Sequence, residues 1–296
     1  MTTFLHTEVN YVFHLERDLS IPGNILFSDG SAMKTTDFSS TSLIAGSATQ
    51  YGYVEGVGSQ ARFNFILSFL QLSTNQALIA DNRNHCLRSL NRATNQTGRY
   101  AGNCTHEGNQ NGVNALLNEP MSLINDLKNP GHVLISEWGG IIKKMNTTNR
   151  NVSYFGTVGR MVYNIIQSLE TGDFFVTVSH AVGIFSYQMK TFTVIFGSTS
   201  RGFHDGPFSE VQFHDPFALL FLNNHTILVS DHYNNRLRVL DLITNSSSSI
   251  CSGEEGHADG NFSSCTIQRP LGLLTLTDTV YIGSYGKIRR IEGKFG

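Results

Sequence analysis

A chain of 296 residues with 20 Phe, 10 Tyr and a hydrophobic content of 40% can bury a large core. Its formal net charge of −2 at pH 7 gives no electrostatic reason to bind a phosphate backbone, so no nucleic-acid partner is expected. No apolar run approaches the roughly 20 residues of a spanning helix, so no membrane span is predicted. The 28 glycines and only 15% charged residues favour β structure with many tight turns.

Apolar segments that end in glycine recur at intervals of roughly 40 to 55 residues, the range expected for propeller blades. They read "LIAG", "RYAG", "SYFG", "VIFG" and "SICSG". Four of them are followed by a second shared element, Gly-x-x-(Asp/Glu/Asn)-Gly, which reads "GYVEG", "GNQNG", "GFHDG" and "GHADG". The approximate repeats that these elements delimit are residues 1–46, 47–102, 103–156, 157–197, 198–253 and 254–296.

Each repeat holds about four short β-like runs. In the second repeat these are "FILSFLQL", "QALIAD", "CLRSLN" and "TGRYAG", separated by turns rich in Asn, Gly, Ser and Thr. No repeat shows the 3.6-residue periodicity of a helix pair, which excludes a helical solenoid. The sequence therefore predicts an all-β fold, a single six-bladed β-propeller of four-stranded antiparallel blades over residues 1–296.

The two ends of the chain predict how the propeller is completed. The last repeat ends in "KIRRIEGKFG" and supplies only three strands, whereas "TTFLHTEV" precedes the first strand of the first repeat. Pairing this N-terminal segment with the last blade would cover an open sheet edge. We therefore predict that it is the outermost strand of the sixth blade.

The motif Asp-x-x-Asn-x-x-Leu-Arg-x-Leu occurs twice, as "DNRNHCLRSL" and "DHYNNRLRVL". Asp81 and Asp231 are expected to end a second strand and to accept hydrogen bonds from backbone N–H groups of the turn that follows. Asn84 and Asn234 suit left-handed or tight positions of that turn. The Arg of the third strand is expected to face the gap between sheets or the solvent, while Leu faces the core. The motif is thus predicted to be architectural.

This pattern resembles the NHL-repeat family of propellers. The core "ADNRNHCLRSL" and the loops "GYVEGVGSQARFNF" and "GFHDGPFSEVQFHDP" carry the resemblance, which extends over nearly the whole chain. It is strong in repeats two and five, good in three and six, and poor in one and four. The family implies a closed propeller, commonly with six blades.

The acidic residues of the Gly-rich loops allow two interpretations. Glu55, Asp205 and Asp259 could hold calcium through carboxylate and carbonyl oxygens. Each loop supplies a single carboxylate, whereas a calcium site usually collects several, so we favour an acidic side chain that fixes its turn. No cofactor is expected on this interpretation.

Three histidines lie in related turns between second and third strands. His85, His180 and His232 could converge on one zinc ion if the turns of different blades meet. An enzymatic relative of the family, the peptidyl-hydroxyglycine amidating lyase, holds zinc with histidines, but only His85 matches one of its ligand positions. A metal-dependent lyase or hydrolase is therefore kept as the alternative function, and solvated or turn-capping histidines are favoured.

The four cysteines form two close pairs in sequence, Cys86 with Cys104 and Cys251 with Cys265. Zinc would also use four cysteines, but neither pair has the spacing of a structural zinc site. Two local disulfides are therefore favoured, and disulfides imply an oxidising compartment.

Asn-x-Ser/Thr sequons are compatible with the same compartment. They lie at Asn95, Asn103, Asn146, Asn151, Asn224, Asn245 and Asn261. We expect an extracellular or secretory-lumen glycoprotein with N-linked glycans that acts without catalysis, as a binding or structural assembly module. Its expected partners are other proteins or copies of itself, and one variant is a subunit of an extracellular filament or matrix.

Overall fold

The computed structural model describes residues 2–5 and 9–292. Residues 6–8 of the predicted closing segment and the final residues 293–296 lie outside the described residues. Packing divides the chain into two compact halves, a first half of residues 13–159 and a second half of residues 160–296 with residues 1–12. Six antiparallel sheets follow one another along the chain, and they are the blades of a β-propeller, as predicted.

The first three blades are four-stranded sheets whose strands follow chain order. Blade one consists of β2 (Val12–Arg17), β3 (Ile25–Asp29), β4 (Ala32–Thr36) and β5 (Thr41–Gly46). Blade two consists of β6 (Ile66–Ser73), β7 (Gln76–Asp81), β8 (Cys86–Asn91) and β9 (Thr97–Gly102). Blade three consists of β10 (Pro120–Asn125), β11 (His132–Glu137), β12 (Ile141–Asn146) and β13 (Val152–Thr157).

The remaining blades belong to the second half. Blade four consists of β14 (Val162–Gln167), β15 (Phe174–Val178), β16 (Ala181–Phe185) and β17 (Phe192–Gly197). Blade five consists of β19 (Pro216–Asn223), β20 (Thr226–Asp231), β21 (Arg236–Asp241) and β22 (Ser246–Ile250), with the two-residue strand β18 (Gly206–Pro207) paired outside β22. Blade six consists of β23 (Leu273–Leu276), β24 (Thr279–Ser284), β25 (Lys287–Glu292) and, from the start of the chain, β1 (Thr2–Leu5).

Strand β1 confirms the predicted origin of the last blade's outer strand. It pairs antiparallel with β25, with Thr2 opposite Arg290 and Thr3 opposite Arg289. The backbone groups of β25 are therefore paired on both sides, by β24 and by β1. An unpaired outer edge of β25 would offer a template for pairing with another chain.

The core lies between neighbouring blades, which explains why inner strands are apolar on both faces. In β7, Ala77 and Ile79 pack in a layer with blade one, whereas Leu78 and Ala80 pack in a layer with blade three. Because successive side chains of a strand point to opposite faces, a strand covered on both sides reads as a continuous apolar run. Similar layers join blades four and five, and blades five and six.

Helical structure within the described residues is limited to three single turns of 3-10 helix. They are Gly58–Gln60, Asn82–Asn84 and His232–Asn234. Across residues 2–5 and 9–292 there is accordingly no helix of the length and apolarity needed to cross a membrane.

Candidate functional site

The repeated motif forms a buried acid–cation pair. Asp81, at the end of β7, and Arg88, in β8, lie 3.0 Å apart and are both fully buried. Asp231 and Arg238 form the same pair in blade five, 2.9 Å apart. The solvent-facing option for the arginine is therefore wrong, because the side chains of Arg88 and Arg238 are fully buried.

The carboxylate of Asp81 holds backbone that precedes the motif. It accepts hydrogen bonds from Asn64 N–H at 2.7 Å and from Asn84 Nδ2 at 2.9 Å. Asp231 likewise accepts from His214 N–H and from Asn234 Nδ2. The predicted backbone donor in the following turn is thus wrong: the donor comes from the crossover that leads into the blade, and the turn contributes a side-chain amide.

The arginine clamps the same crossover. Arg88 donates through its two Nη atoms to the carbonyl oxygens of Arg62 and Val54, at 3.2 and 3.1 Å. Asn84 also donates to the carbonyl of Gly52, the first glycine of "GYVEG". The two sequence signatures of the repeat are therefore bound to each other.

Blade five repeats this clamp with one addition. Arg238 donates to the carbonyl oxygens of Gln212 and His204, and Asn234 donates to that of Gly202. Asp205 of "GFHDG" accepts from Arg238 Nε at 2.9 Å, so the loop carboxylate joins the pair. Asp205 thus links its loop to Arg238 and to the hydroxyls of Ser247 and Ser249.

The other two acidic loops use their carboxylates in the same structural way. Asp259 lies 2.7 Å from Arg289 Nη2 of blade six, and Glu55 accepts from Arg99 N–H and from the Tyr53 hydroxyl. Within residues 2–5 and 9–292, no three His, Cys, Asp or Glu side chains are grouped to hold a metal ion.

The pair varies between blades. Blade one has Asp29 with Lys34 at 2.6 Å, and blade three has Glu137 with Lys143 at 3.0 Å. Blade four has Val178 and Gly183 at the corresponding register positions. The ring of Phe192 occupies the space that a Cβ at Gly183 would need. An apolar contact thus replaces the ion pair in blade four, one of the two repeats whose resemblance to the motif is poor.

Burial dominates the titration of these carboxylates. It raises the pKa of Asp81 to about 6, although Asn64 N–H, Asn84 and Arg88 all favour the charged form. Burial also raises the pKa of Asp231 and of Glu137 above their ordinary values. These three carboxylates therefore take up a proton more readily than exposed ones.

His85 and His180 occupy one equivalent position, immediately before the third strand. Their backbone is left-handed, with φ of 57° and 62°, and so is that of Asn235, with φ of 51°. Asn84 and Asn234 instead lie in the 3-10 turn just before, so they take the tight positions of the turn and not the left-handed one.

The side chains at these left-handed positions accept hydrogen bonds from backbone that leads into the next blade. Nδ1 of His85 accepts from Glu119 N–H at 3.2 Å, and Nδ1 of His180 accepts from Asp215 N–H at 3.3 Å. Asn235 Oδ1 accepts a hydrogen bond from Arg269 N–H in the same way. For His85, acceptance requires an unprotonated Nδ1, so in this arrangement its imidazole proton lies on Nε2.

His232 occupies a different position, equivalent to Asn82. Its Nδ1 lies 3.2 Å from the Pro270 carbonyl oxygen, just as Asn82 Nδ2 lies 3.2 Å from that of Pro120. Since a carbonyl only accepts, Nδ1 of His232 is the donor. Burial lowers the pKa of His232 to about 4, so the ring is neutral at physiological pH.

A set of rings and one carboxylate comes together around His180 and His232 in the second half. We call it the His–Tyr cluster, and its members are Tyr163, His180, His214, Asp215, Phe217, His232 and Tyr233. The ring of Tyr233 lies 4.9 Å from that of His214 and 4.5 Å from that of His232, centroid to centroid. The cluster is thus a continuous aromatic surface.

The polar groups of the cluster centre on Asp215. Its Oδ1 lies 3.0 Å from His180 Nδ1, and burial together with the Asp215 charge raises the pKa of Tyr163 far above its usual value. Tyr233 is 47% exposed, and the guanidinium of Arg269 lies 5.6 Å from its ring centroid. The cluster therefore offers ring faces, a carboxyl group and imidazole nitrogens to a ligand.

Sequence analysis identified only part of this cluster. Of the three predicted histidines it contains His180 and His232, whereas His85 lies in the other half of the chain. Tyr163, Phe217 and Tyr233 were not among the predicted site residues, and Tyr233 stands at a variable position of the repeated motif. The tripeptide Phe-His-Asp occurs twice in the sequence, at residues 203–205 and 213–215. Its second copy lies beside an inner strand, so this repetition was the signal that could have drawn attention to His214 and Asp215.

Comparison with known proteins supports the fold and leaves the family open. No protein-family model matches the sequence, so the resemblance to NHL repeats stays a prediction. Protein SUPPRESSOR OF QUENCHING 1, chloroplastic, of Arabidopsis thaliana is 22% identical over an alignment of 262 positions, which covers 77% of this chain and 24% of that protein. The chain thus spans about a quarter of the length of this curated relative.

Solved structures of similar fold come from Bacteroides thetaiotaomicron. An auxiliary nutrient binding protein superposes with a TM-score of 0.77 at 13% identity, over 98% of this chain and 75% of that one. The extracellular domain of a protein assigned as a hybrid two component system superposes with a TM-score of 0.61 at 14% identity, over 95% of this chain and 40% of that one. At these identities the likeness is one of fold.

Both favoured cysteine pairs form disulfides. Cys86, the first residue of β8, is bonded to Cys104, just beyond β9, so the bond joins neighbouring strands of blade two. Cys251 follows β22 and is bonded to Cys265 in the crossover to blade six. Each bond therefore fixes a crossover at the blade that it leaves.

The sequon asparagines lie at turns and strand ends. Asn151, Asn224, Asn245 and Asn261 are exposed, and Asn95, Asn103 and Asn146 are partly buried. The carboxamide of Asn146 is held on both sides, since its oxygen accepts from Thr148 and Asn149 N–H and its nitrogen contacts His132.

Proposed function

We propose that the protein is a non-catalytic binding module of an extracellular or secretory-lumen glycoprotein, built from NHL-like repeats. The two disulfides support the compartment, because such bonds persist under oxidising conditions. The propellers that bind nutrients or form an extracellular domain in Bacteroides support a binding role by analogy of fold.

The recognition surface in this proposal is the His–Tyr cluster. The observation that carries it is a contrast between two groups of polar residues. The buried pairs formed by Arg88 and Arg238 with their acidic partners bind the backbone of the crossovers. Tyr233, by contrast, is exposed and surrounded by aromatic rings. Tyrosine supplies a large, rigid contact area with a polar end, which suits a protein interface. The partner is another protein or a second copy of this chain, and a filament or matrix subunit is the structural variant.

The compartment is tested on protein from its natural source by intact mass. Mass before and after enzymatic deglycosylation, with alkylation under reducing and non-reducing conditions, reports glycans and protected cysteines together. We expect glycan mass and four cysteines protected until reduction. Four free thiols and an unmodified mass would overturn the extracellular assignment.

The surface is tested by comparing two exposed tyrosines. Tyr233→Ser changes the cluster, and Tyr51→Ser, at a residue that is 74% exposed in the first half, is the matched control. Extracellular medium is passed over each immobilised protein to capture partners, and self-association is followed by sedimentation velocity. Loss of a captured protein or of oligomers with Tyr233→Ser alone supports the proposal. Equal behaviour of both variants and the wild type would place recognition elsewhere.

A further inference from the structure

The turn between β19 and β20 presents a sequon beside a groove. Asn223 and Thr226 pair across the turn, which leaves Asn224 and His225 at its exposed tip. Asn224, His225 and Thr226 form the sequon. A side-chain hydrogen bond bridges the start of the turn, where His225 N–H donates to Asn223 Oδ1 at 2.8 Å.

The groove beside Asn224 is partly apolar and has a volume of about 120 Å³. It is lined by Ser168, Leu169, Glu170, Phe221, Asn223 and Asn224. Leu169 is 81% exposed at the turn of blade four, and the ring of Phe221 is held edge-on against Phe175 with 5.4 Å between centroids. An exposed leucine beside a fixed aromatic ring is an apolar surface that a ligand can cover.

The amide of Asn224 is already oriented along this groove. Its Nδ2 donates to Glu170 Oε1. A carboxamide nitrogen carries two hydrogens, and N-glycosylation replaces only one, so the bond to Glu170 can persist in the glycosylated protein. The attached sugar would then lie next to Leu169 and Phe221.

We propose that Asn224 carries an N-linked glycan whose first N-acetylglucosamine packs on Leu169 and Phe221, with Glu170 orienting the linkage. The inference rests on the proposed secretory compartment, which supplies a lipid-pyrophosphate-linked oligosaccharide and its transferase. In the transfer, Nδ2 of Asn224 bonds to C1 of the sugar and loses one proton, while the C1–oxygen bond to the lipid pyrophosphate breaks and that group leaves. The apolar face of the pyranose ring covers Leu169 and Phe221.

The test uses the full chain secreted from glycosylating cells, with glycans trimmed to one N-acetylglucosamine. Glycopeptide mass spectrometry reads the occupancy of every sequon, and thermal unfolding compares the wild type with Thr226→Val, which removes the sequon and keeps Asn224 and Glu170. We expect Asn224 to be occupied and the sugar to raise Tm by about 1–3 °C. Asn151→Gln, which removes the exposed sequon at Asn151, is the control and should leave Tm unchanged.

Leu169→Ser separates packing from mere occupancy. Its high exposure means that the fold tolerates the change, and in this background Thr226→Val should no longer lower Tm. Occupied Asn224 with a Tm effect that survives Leu169→Ser would overturn the packing. Glycans at other sequons but not at Asn224 would overturn this inference and leave the proposed function standing, whereas no glycan at any sequon would overturn both.

Discussion

Replacing Arg88 by methionine is the sharpest test of the buried clamp. The substitution keeps a long unbranched side chain but removes the charge opposite Asp81 and the donors that serve the carbonyls of Arg62 and Val54. Breaking a buried ion pair on one side costs about 3–5 kcal/mol, because the remaining charge stays in an apolar environment. We expect the free energy of unfolding at pH 7.5 to fall by that amount.

The pH dependence of the variant identifies the cause. Burial already raises the pKa of Asp81 to about 6, and without Arg88 it rises further. The unfolded chain titrates near the ordinary value for Asp, so between the two pKa values only the folded state takes up a proton. Its stability therefore increases as pH falls through that window, and Arg88→Met should recover part of its loss at pH 5.

The assay is urea unfolding at pH 7.5 and pH 5, with Arg99→Met as the matched control, since Arg99 is an exposed arginine on the same blade. The double variant Asp81→Asn with Arg88→Met should be more stable at pH 7.5 than Arg88→Met alone, because no buried charge remains. If Arg88→Met costs no more than Arg99→Met, or if its loss is the same at both pH values, the argument from a stranded carboxylate is refuted.

Three further predictions concern the disulfide, a histidine and the first strand. Replacing both Cys86 and Cys104 by serine should cost about 3 kcal/mol in denaturant unfolding, the chain-entropy value for a loop of this length, and an unchanged midpoint would contradict it. The pKa of His232 is lowered to about 4, so the unfolded chain takes up a proton first and stability falls as pH drops from about 6.5 to about 4. His232→Asn, which gives blade five the residue that blade two has at Asn82, should keep the bond to Pro270 and remove this acid-induced loss; an unchanged pH profile by thermal unfolding would count against it. Deleting residues 1–9 uncovers β25 and should lower Tm by several degrees and promote association, as measured by calorimetry and light scattering; an unchanged Tm would show that β1 contributes little.

Much of the fold can be predicted from the sequence because each propeller repeat carries its own local sequence signals. The glycine-ended strands and the Gly-rich loops locate the blades, and the incomplete last repeat locates β1. The motif also reveals that Asp81 and Arg88 matter, since their spacing places them on adjacent strands of one blade.

The partners of the motif could not be predicted in the same way. Asn64 N–H and the Gly52 carbonyl reach Asp81 and Asn84 only through the path of the crossover, which local pattern does not specify. The left-handed role of His85 was missed for a similar reason. A histidine tolerates positive φ less readily than glycine, and the structure holds it there because its ring accepts a hydrogen bond from the next blade.

The same limit explains why the His–Tyr cluster escaped sequence analysis, and it gives a physical argument for the cluster's importance. In blade four, Val178, Gly183 and the ring of Phe192 stand where other blades have the acid–cation pair. The same blade contributes Tyr163 and His180 to the cluster. In the regular repeats, the polar residues of the motif bind the backbone of the crossover. In a blade where apolar packing takes that role, polar residues can lie at other positions. Departures from a local rule tend to coincide with sites of function. The poor match of the fourth repeat to its neighbours is therefore a reason to look for recognition there.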